Sequence, residues 1–229
     1  DDDDDVEIFV LLHGPEFVAL MERTPEGRAL LERVVTHLGA GDPLRSLALE
    51  DEDRAQLRTW QFITAKPVLY VANVDDTSQA DNPLVEKVAE RASAEGAELV
   101  VVSAAMEAEL AQLDPEEQAE FLADLGETEP GLNRLIRTGY ALLDLLTFFT
   151  AGPKEARAWT VKVGSTAPEA AGVIHTDFQK GFIRAEVIGY EDFIAYNGEQ
   201  GAKDAGRWRL EGKDYIVKDG DVIHFRFNV

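Results

Sequence analysis

The chain has 229 residues, with 44 Asp and Glu against 22 Lys and Arg, and a formal net charge of −22 at pH 7. That charge repels nucleic acid at long range, and the absence of cysteine excludes disulfides, thiolate metal sites and thiol redox switches. No apolar run approaches the ~20 residues that span a bilayer. The acidic start also differs from a basic leader followed by an apolar core, so a cytoplasmic protein without a membrane partner is expected.

Asp1 to Asp5 form an acidic run expected to be unstructured. Residues 6–13, with Val6, Ile8, Val10, Leu11 and Leu12, have the composition of a short strand. The spacing of Leu30, Leu31, Val34, Val35 and Leu38 predicts a helix over 25–39. A second helix is predicted over 50–64, carrying Leu57, Trp60 and Ile63, before Lys66-Pro67 breaks it.

Pro67 to Ala72 then reads as a strand buried on both faces, ending in Asn73-Val74-Asp75-Asp76. Asn82 and Pro83 open a helix with Leu84, Val85, Val88, Ala89 and Ala92 on one face, and Gly96 closes it. A second buried strand, Glu98 to Val102, ends in Ser103-Ala104-Ala105. Strand, helix and strand make a right-handed βαβ unit with parallel strands. Ligands of open α/β sheets collect beyond the carboxyl ends of strands, where Asn73 and Ser103 stand. Asn and Asp after one strand with Ser-Ala after the next is how P-loop GTPases and their relatives hold a purine base. The alternative is an ordinary βαβ unit whose Asn73 and Ser103 satisfy turn backbone. No Gly-x-x-x-x-Gly-Lys-Ser/Thr loop occurs to cradle phosphates; Gly212-Lys213 is followed by Asp214.

Asp114 and Pro115 start an acidic helix over 115–125, whose Glu116, Glu117 and Glu120 suit the positive end of its dipole. Gly131 to Leu146 reads as a further helix, with Leu132, Leu135, Ile136, Tyr140 and Leu143 inward. Thr147-Phe148-Phe149-Thr150 and Ala151-Gly152-Pro153 lead from it into a last domain. There, Ala158 to Val163 reads as the first strand, 168–175 as a short helix, Phe182 to Ile188 as a strand and Tyr190 to Tyr196 as a helical turn. Asp219-Gly220 supplies a tight turn before a half-buried strand with Ile223, Phe225 and Phe227 alternating.

Several long segments resemble the YchF/Obg-like ATPase family in the same order. They are Glu129-Pro130-Gly131-Leu132-Asn133-Arg134, Thr147 to Thr160, Ala171 to Phe178, Lys180 to Glu186 and Gly212 to Ile223, and the resemblance covers about residues 57–229. It implies an α/β fold. A partial P-loop-type βαβ domain with a helical, coiled-coil-like arm is followed by a β-grasp TGS domain. Residues 1–65 would be an acidic N-terminus and remnant of a helical insertion, 66–145 the base-recognition part of the G domain, and 146–229 the TGS domain.

The resemblance further implies an ATP-binding, possibly GTP-binding, protein of the ribosome or translation. Asn73, Val74 and Asp76 match the base-selecting segment, with Val74 in place of the lysine of most GTPases and Asp76 in place of the family's usual Glu. Ser103, Ala104 and Ala105 match the segment whose backbone amides contact the base. No catalytic residue is assigned, because the family's phosphate loop and magnesium-binding threonine have no counterpart. Mg2+ is expected only with those parts, and the chain is expected to be inactive in hydrolysis alone. The alternative is a non-catalytic adaptor whose TGS domain binds ribosome, RNA or protein without nucleotide turnover.

Charge is unevenly spread. Residues 151–229 carry 11 basic and 12 acidic side chains, which leaves −21 of the −22 on residues 1–150. The nearly neutral last domain could present a basic face to ribosomal RNA from Arg157, Lys162, Lys180, Arg184, Lys203, Arg207, Arg209 and Lys213, whereas no DNA partner is expected. The sequence alone favours reading these same residues as scattered solvated charges balanced by acidic neighbours. His13, His37, His175 and His224 have no metal-ligand spacing, and His175 reads as a helix cap.

Overall fold

A computed structural model describes residues 24–75 and 82–228, apart from the side chain of Thr59. The expected acidic run at 1–5, the strand at 6–13, His13 and Asp76 lie outside the described residues. The chain divides into two compact units. One comprises residues 1–72 and 78–99, the other residues 73–77 and 100–229.

In the first unit, helix α1 (Pro25–Gly39) starts where the sequence places it. Thr24 Oγ1 accepts the Gly27 N–H at 3.1 Å, and Pro25 fills the first turn, where no N–H is needed. Leu30, Leu31 and Val34 are buried together with Leu44, Leu57, Trp60 and Phe62, and Val35 and Leu38 pack on that cluster. Helix α2 (Asp51–Trp60) ends four residues earlier than predicted, because Gln61 takes a left-handed conformation at φ 52°. The reversal turns Phe62 back onto Trp60, with ring centroids 5.7 Å apart, and leaves Ile63 81% exposed instead of on the buried stripe. Arg33 pairs with Asp53 at 2.9 Å between the two helices.

Strands β1 (Leu69–Asn73) and β2 (Glu98–Val102) pair in a two-stranded sheet, with helix α3 (Pro83–Glu95) between them in sequence. Asn82 Oδ1 caps α3 by accepting from Leu84 N–H at 3.0 Å and Val85 N–H at 3.4 Å, and Gly96 ends it at φ 63°, a conformation that favours glycine. The apolar face of α3 is narrower than predicted. Ala92 is buried and Val85 and Val88 are half-buried, while Leu84 and Ala89 are exposed. Nor are the strands buried on both faces: only Val100 is buried, and Val71 is 45% exposed. Burial on both faces requires elements packed against each of them, which the strand sequence does not encode.

In the second unit, α4 (Ala104–Leu110), α5 (Pro115–Asp124) and α6 (Gly131–Leu142) lead into a five-stranded sheet. Asp114 and Glu117 form a reciprocal capping box at α5. Helix α6 stops at Leu142, short of the predicted Leu146. Asp144 adopts φ 50°, its C=O accepts the Val163 N–H at 2.7 Å, and strand pairing takes over at Leu145. The face expected inward is only partly so: Leu135 and Tyr140 are half-buried, whereas Leu132, Ile136 and Leu143 are exposed.

The sheet consists of β3 (Leu145–Ala151), β4 (Ala156–Lys162), β5 (Phe182–Gly189), β6 (Arg209–Glu211) and β7 (Asp221–Phe227), in the order β4-β3-β7-β5-β6. β3 and β7 run parallel, and the other neighbours are antiparallel. The segment read as a lead-in, Thr147 to Thr150, is thus part of the first strand of this sheet, and the strand expected to be first is its second. Helix α7 (Ala167–Ile174) lays Ala167, Ala170 and Ala171 on Phe148, Val161, Phe182, Val187, Ile223 and Phe225. Three alanines let the helix approach the sheet closely, and a mixed sheet holding one helix on one face is the expected β-grasp arrangement. Helices α8 (Thr176–Lys180), α9 (Tyr190–Ala195) and α10 (Glu199–Asp204) complete the unit. His175 Nδ1 accepts the Asp177 N–H at 3.2 Å, so its side chain caps the start of α8 and not, as expected, the end of the helix before it.

Candidate functional site

Two strand ends form the site. Val74 N–H donates to Val102 C=O at 2.9 Å, so the carboxyl ends of β1 and β2 lie side by side, as a parallel pair requires. Asn73 is the last residue of β1, and its Oδ1 accepts the Ala104 N–H at 2.9 Å. Ser103 is 4% exposed and caps α4, its Oγ accepting the Met106 N–H at 3.4 Å and donating to Asp75 C=O at 3.4 Å. The two segments singled out from the sequence, 30 residues apart from Asn73 to Ser103, therefore meet at one edge.

Each residue has a distinct place there. Asn73 and Ala104 are exposed and joined to each other, Val74 is half-buried, Ser103 is buried, and Ala105 is exposed in the first turn of α4. The Ala104 amide is already committed to Asn73, and among the described residues the Ala105 amide of that turn has no acceptor. Asn73 keeps its Nδ2 donor. These hydrogen bonds are also the ones an ordinary βαβ turn would use.

Behind this edge stands a buttress that sequence reading left without a role. Gly131 N–H, at the start of α6, donates to Glu107 Oε1 of α4 at 2.7 Å. A Cβ on Gly131 would stand 3.0 Å from that oxygen and 3.3 Å from Val102 Cγ1, so a larger residue would have to push these side chains aside by a few tenths of an ångström. Arg134 pairs with Glu127 and donates from Nη2 to Val101 C=O at 3.4 Å. One turn further, Arg137 hydrogen-bonds Glu129 and holds its carboxyl below the usual range. The signal was present in Glu129-Pro130-Gly131-Leu132-Asn133-Arg134, whose glycine at a helix start is otherwise a poor choice.

Four of the eight residues of the expected basic face are paired with carboxylates. Arg184, Lys203, Arg207 and Arg209 pair with Glu186, Glu199, Asp192 and Glu211 respectively, and Arg209 also approaches Asp221. Lys162 donates to Leu143 C=O at 2.6 Å, and Arg157 lies 4.4 Å over the Trp159 ring. No helix among the described residues is long and apolar enough to cross a membrane.

Residues 145–228 match the family model YchF-GTPase_C, "Protein of unknown function (DUF933)". The "Ribosome-binding ATPase YchF" of Haemophilus influenzae is 60% identical over 201 residues, 88% of this chain and 55% of that protein. The protein of the same name from Bacillus subtilis is 53% identical over 190 residues, 82% of this chain and 52% of the relative. Among solved structures, the Schizosaccharomyces pombe YchF GTPase superposes with a TM-score of 0.73 at 31% identity, covering 92% of this chain and 61% of the other. The chain thus spans about half the length of the curated relatives it matches.

Proposed function

The chain belongs to the YchF family, and from that premise we propose that it binds the base of ATP, or of GTP, at the edge formed by Asn73 and Ser103 and associates with the ribosome in the cytoplasm. In this reading residues 66–145 are the base-recognition part of a G domain and 146–229 a TGS domain. The observation that carries it is the 2.9 Å hydrogen bond from the Ala104 amide to Asn73 Oδ1. It fixes the Asn73 amide plane, so that Nδ2 is aimed before a ligand arrives and little ordering entropy remains to be lost.

Asn73 Nδ2 donates to an acceptor on the purine edge, and Asp76 reads exocyclic groups. Val74 packs on the ring with less area than the lysine of most GTPases, and the Ala105 amide supplies a second donor. Bound nucleotide would bring its phosphates and Mg2+, but no residue of this chain is assigned to hold them. The names of the relatives support ribosome association.

Calorimetric titration with Mg·ATP, and separately Mg·GTP, tests the reading. Saturable binding is expected, weakened about five- to thirtyfold in Asn73→Ala, since one buried hydrogen bond to a ligand is worth roughly 1–2 kcal/mol. Affinity unchanged by that substitution removes Asn73 from the site. No binding of either nucleotide favours the adaptor reading, for which the supporting observation is the separate apolar core at Leu146 to Phe225.

A further inference from the structure

We infer that the second face of the five-stranded sheet carries a site for one divalent transition-metal ion of the zinc class, held by Glu186, Glu199 and His224. Glu186 of β5 and His224 of β7 are register partners on antiparallel neighbours, so their side chains leave the same face of the sheet. Glu199 opens α10 and reaches the same point. The ligand atoms of all three lie within 4.8 Å of one another. Separations of 13 and 25 residues in the sequence conceal this grouping.

Two further observations point to an occupant. The three side chains line a cavity of about 20 Å³, also bounded by Phe193 and Trp208, which is room for a single ion or water. The indole N–H of Trp208 is buried with no acceptor among the described residues. A buried donor left unsatisfied is costly, which marks the cavity as one that takes an occupant.

The groups around the site are compatible with an ion. Arg226 donates from Nε to Glu186 Oε1 and from Nη2 to Glu186 Oε2, both at 2.9 Å, which uses one lone pair on each oxygen and fixes the carboxylate. Arg184 lies farther out, at 3.9 Å from Oε1. Lys203 holds Glu199 through Oε1 and leaves Oε2. Its ammonium, 5.0 Å from the centre of the Trp208 ring, is the competing cation, on a stem flexible enough to swing away. Metal–ligand bonds of about 2.0–2.2 Å then require only rotamer adjustment of Glu199 and His224, neither of which is buried.

Titration of the chelator-treated, untagged chain with ZnCl2 by calorimetry tests the site. One saturable site per chain is expected, and CoCl2 in its place should give the strong visible bands of a four-coordinate ion. His224→Ala and Glu199→Gln should each weaken binding about tenfold or more, and Lys203→Met should tighten it by freeing Glu199. All three positions have solvent-accessible side chains, and far-UV circular dichroism verifies that the variants fold. Absence of a saturable site, binding unchanged in His224→Ala, or binding no tighter in Lys203→Met overturns the assignment. So does a weak octahedral Co2+ spectrum at several equivalents per chain, which would mark uptake by the acidic surface.

Discussion

Replacing Phe148 by Ala is expected to destabilise the sheet domain by about 3–5 kcal/mol, the range for removing a fully buried aromatic ring. Phe148 has no exposed surface, sits on β3 opposite Trp159 of β4, and meets Phe225 of β7 edge-on at 5.9 Å between centroids. It touches the centre of the sheet and the alanine face of α7, so neighbouring side chains cannot collapse into the cavity without moving the helix. Phe149, next in sequence, points to the other face, is half-buried and lies against Tyr190 at 5.6 Å. Phe149→Ala should therefore cost clearly less. Denaturant midpoints at constant slope measure both, and equal losses would contradict the assigned sidedness of β3.

Asp221→Ala should cost about 3 kcal/mol or more, because it removes the acceptor from a buried polar cluster. Asp221 is 3% exposed. Its Oδ2 accepts the Tyr215 O–H at 2.7 Å and the Lys218 N–H at 2.9 Å, and its Oδ1 faces Arg209 Nη2 at 3.5 Å. Without the carboxylate, a phenol and a turn amide are stranded, and the turn that starts β7 loses its clamp. Burial of the ring, then the hydrogen bond to Asp221, raises the Tyr215 phenol above its ordinary value. A group whose folded pKa is raised contributes stability that is present below the unfolded value of about 10 and lost as pH rises toward the folded one. Stability should therefore fall as pH rises above about 10, and Tyr215→Phe should flatten that limb in pH-dependent thermal melts. An unchanged alkaline limb in Tyr215→Phe would assign the effect to other groups.

The two capped helices show what local chemistry settles. Thr24 with Pro25, and Asn82 with Pro83 and Gly96, specify helix ends through hydrogen bonds and φ preferences confined to a few residues, and α1 and α3 begin and end accordingly. The residue pattern likewise indicated the α/β class, the family and the two segments that meet at Asn73 and Ser103. Burial was another matter. Leu84, Leu132, Ile136 and Leu143 carry apolar periodicity, yet their exposure depends on whether another element covers that face, which periodicity does not encode. Thr147 to Thr150 has the β propensity of a strand, yet it reads in the sequence as a lead-in, because a four-residue signal is confirmed only by pairing with β4 and β7, partners distant in the chain.

By itself, the sequence determined helix boundaries at its capping residues, the family, the lack of thiol chemistry and the concentration of negative charge before residue 151. Those properties follow from residue identity or from interactions within one or two turns. Tertiary structure decided the early ends of α2 and α6, the five-strand order, the pairing of four of the basic residues with carboxylates and the convergence of Glu186, Glu199 and His224. Each of these depends on long-range pairing, and the free energy that selects among pairings is shared over the whole packed unit.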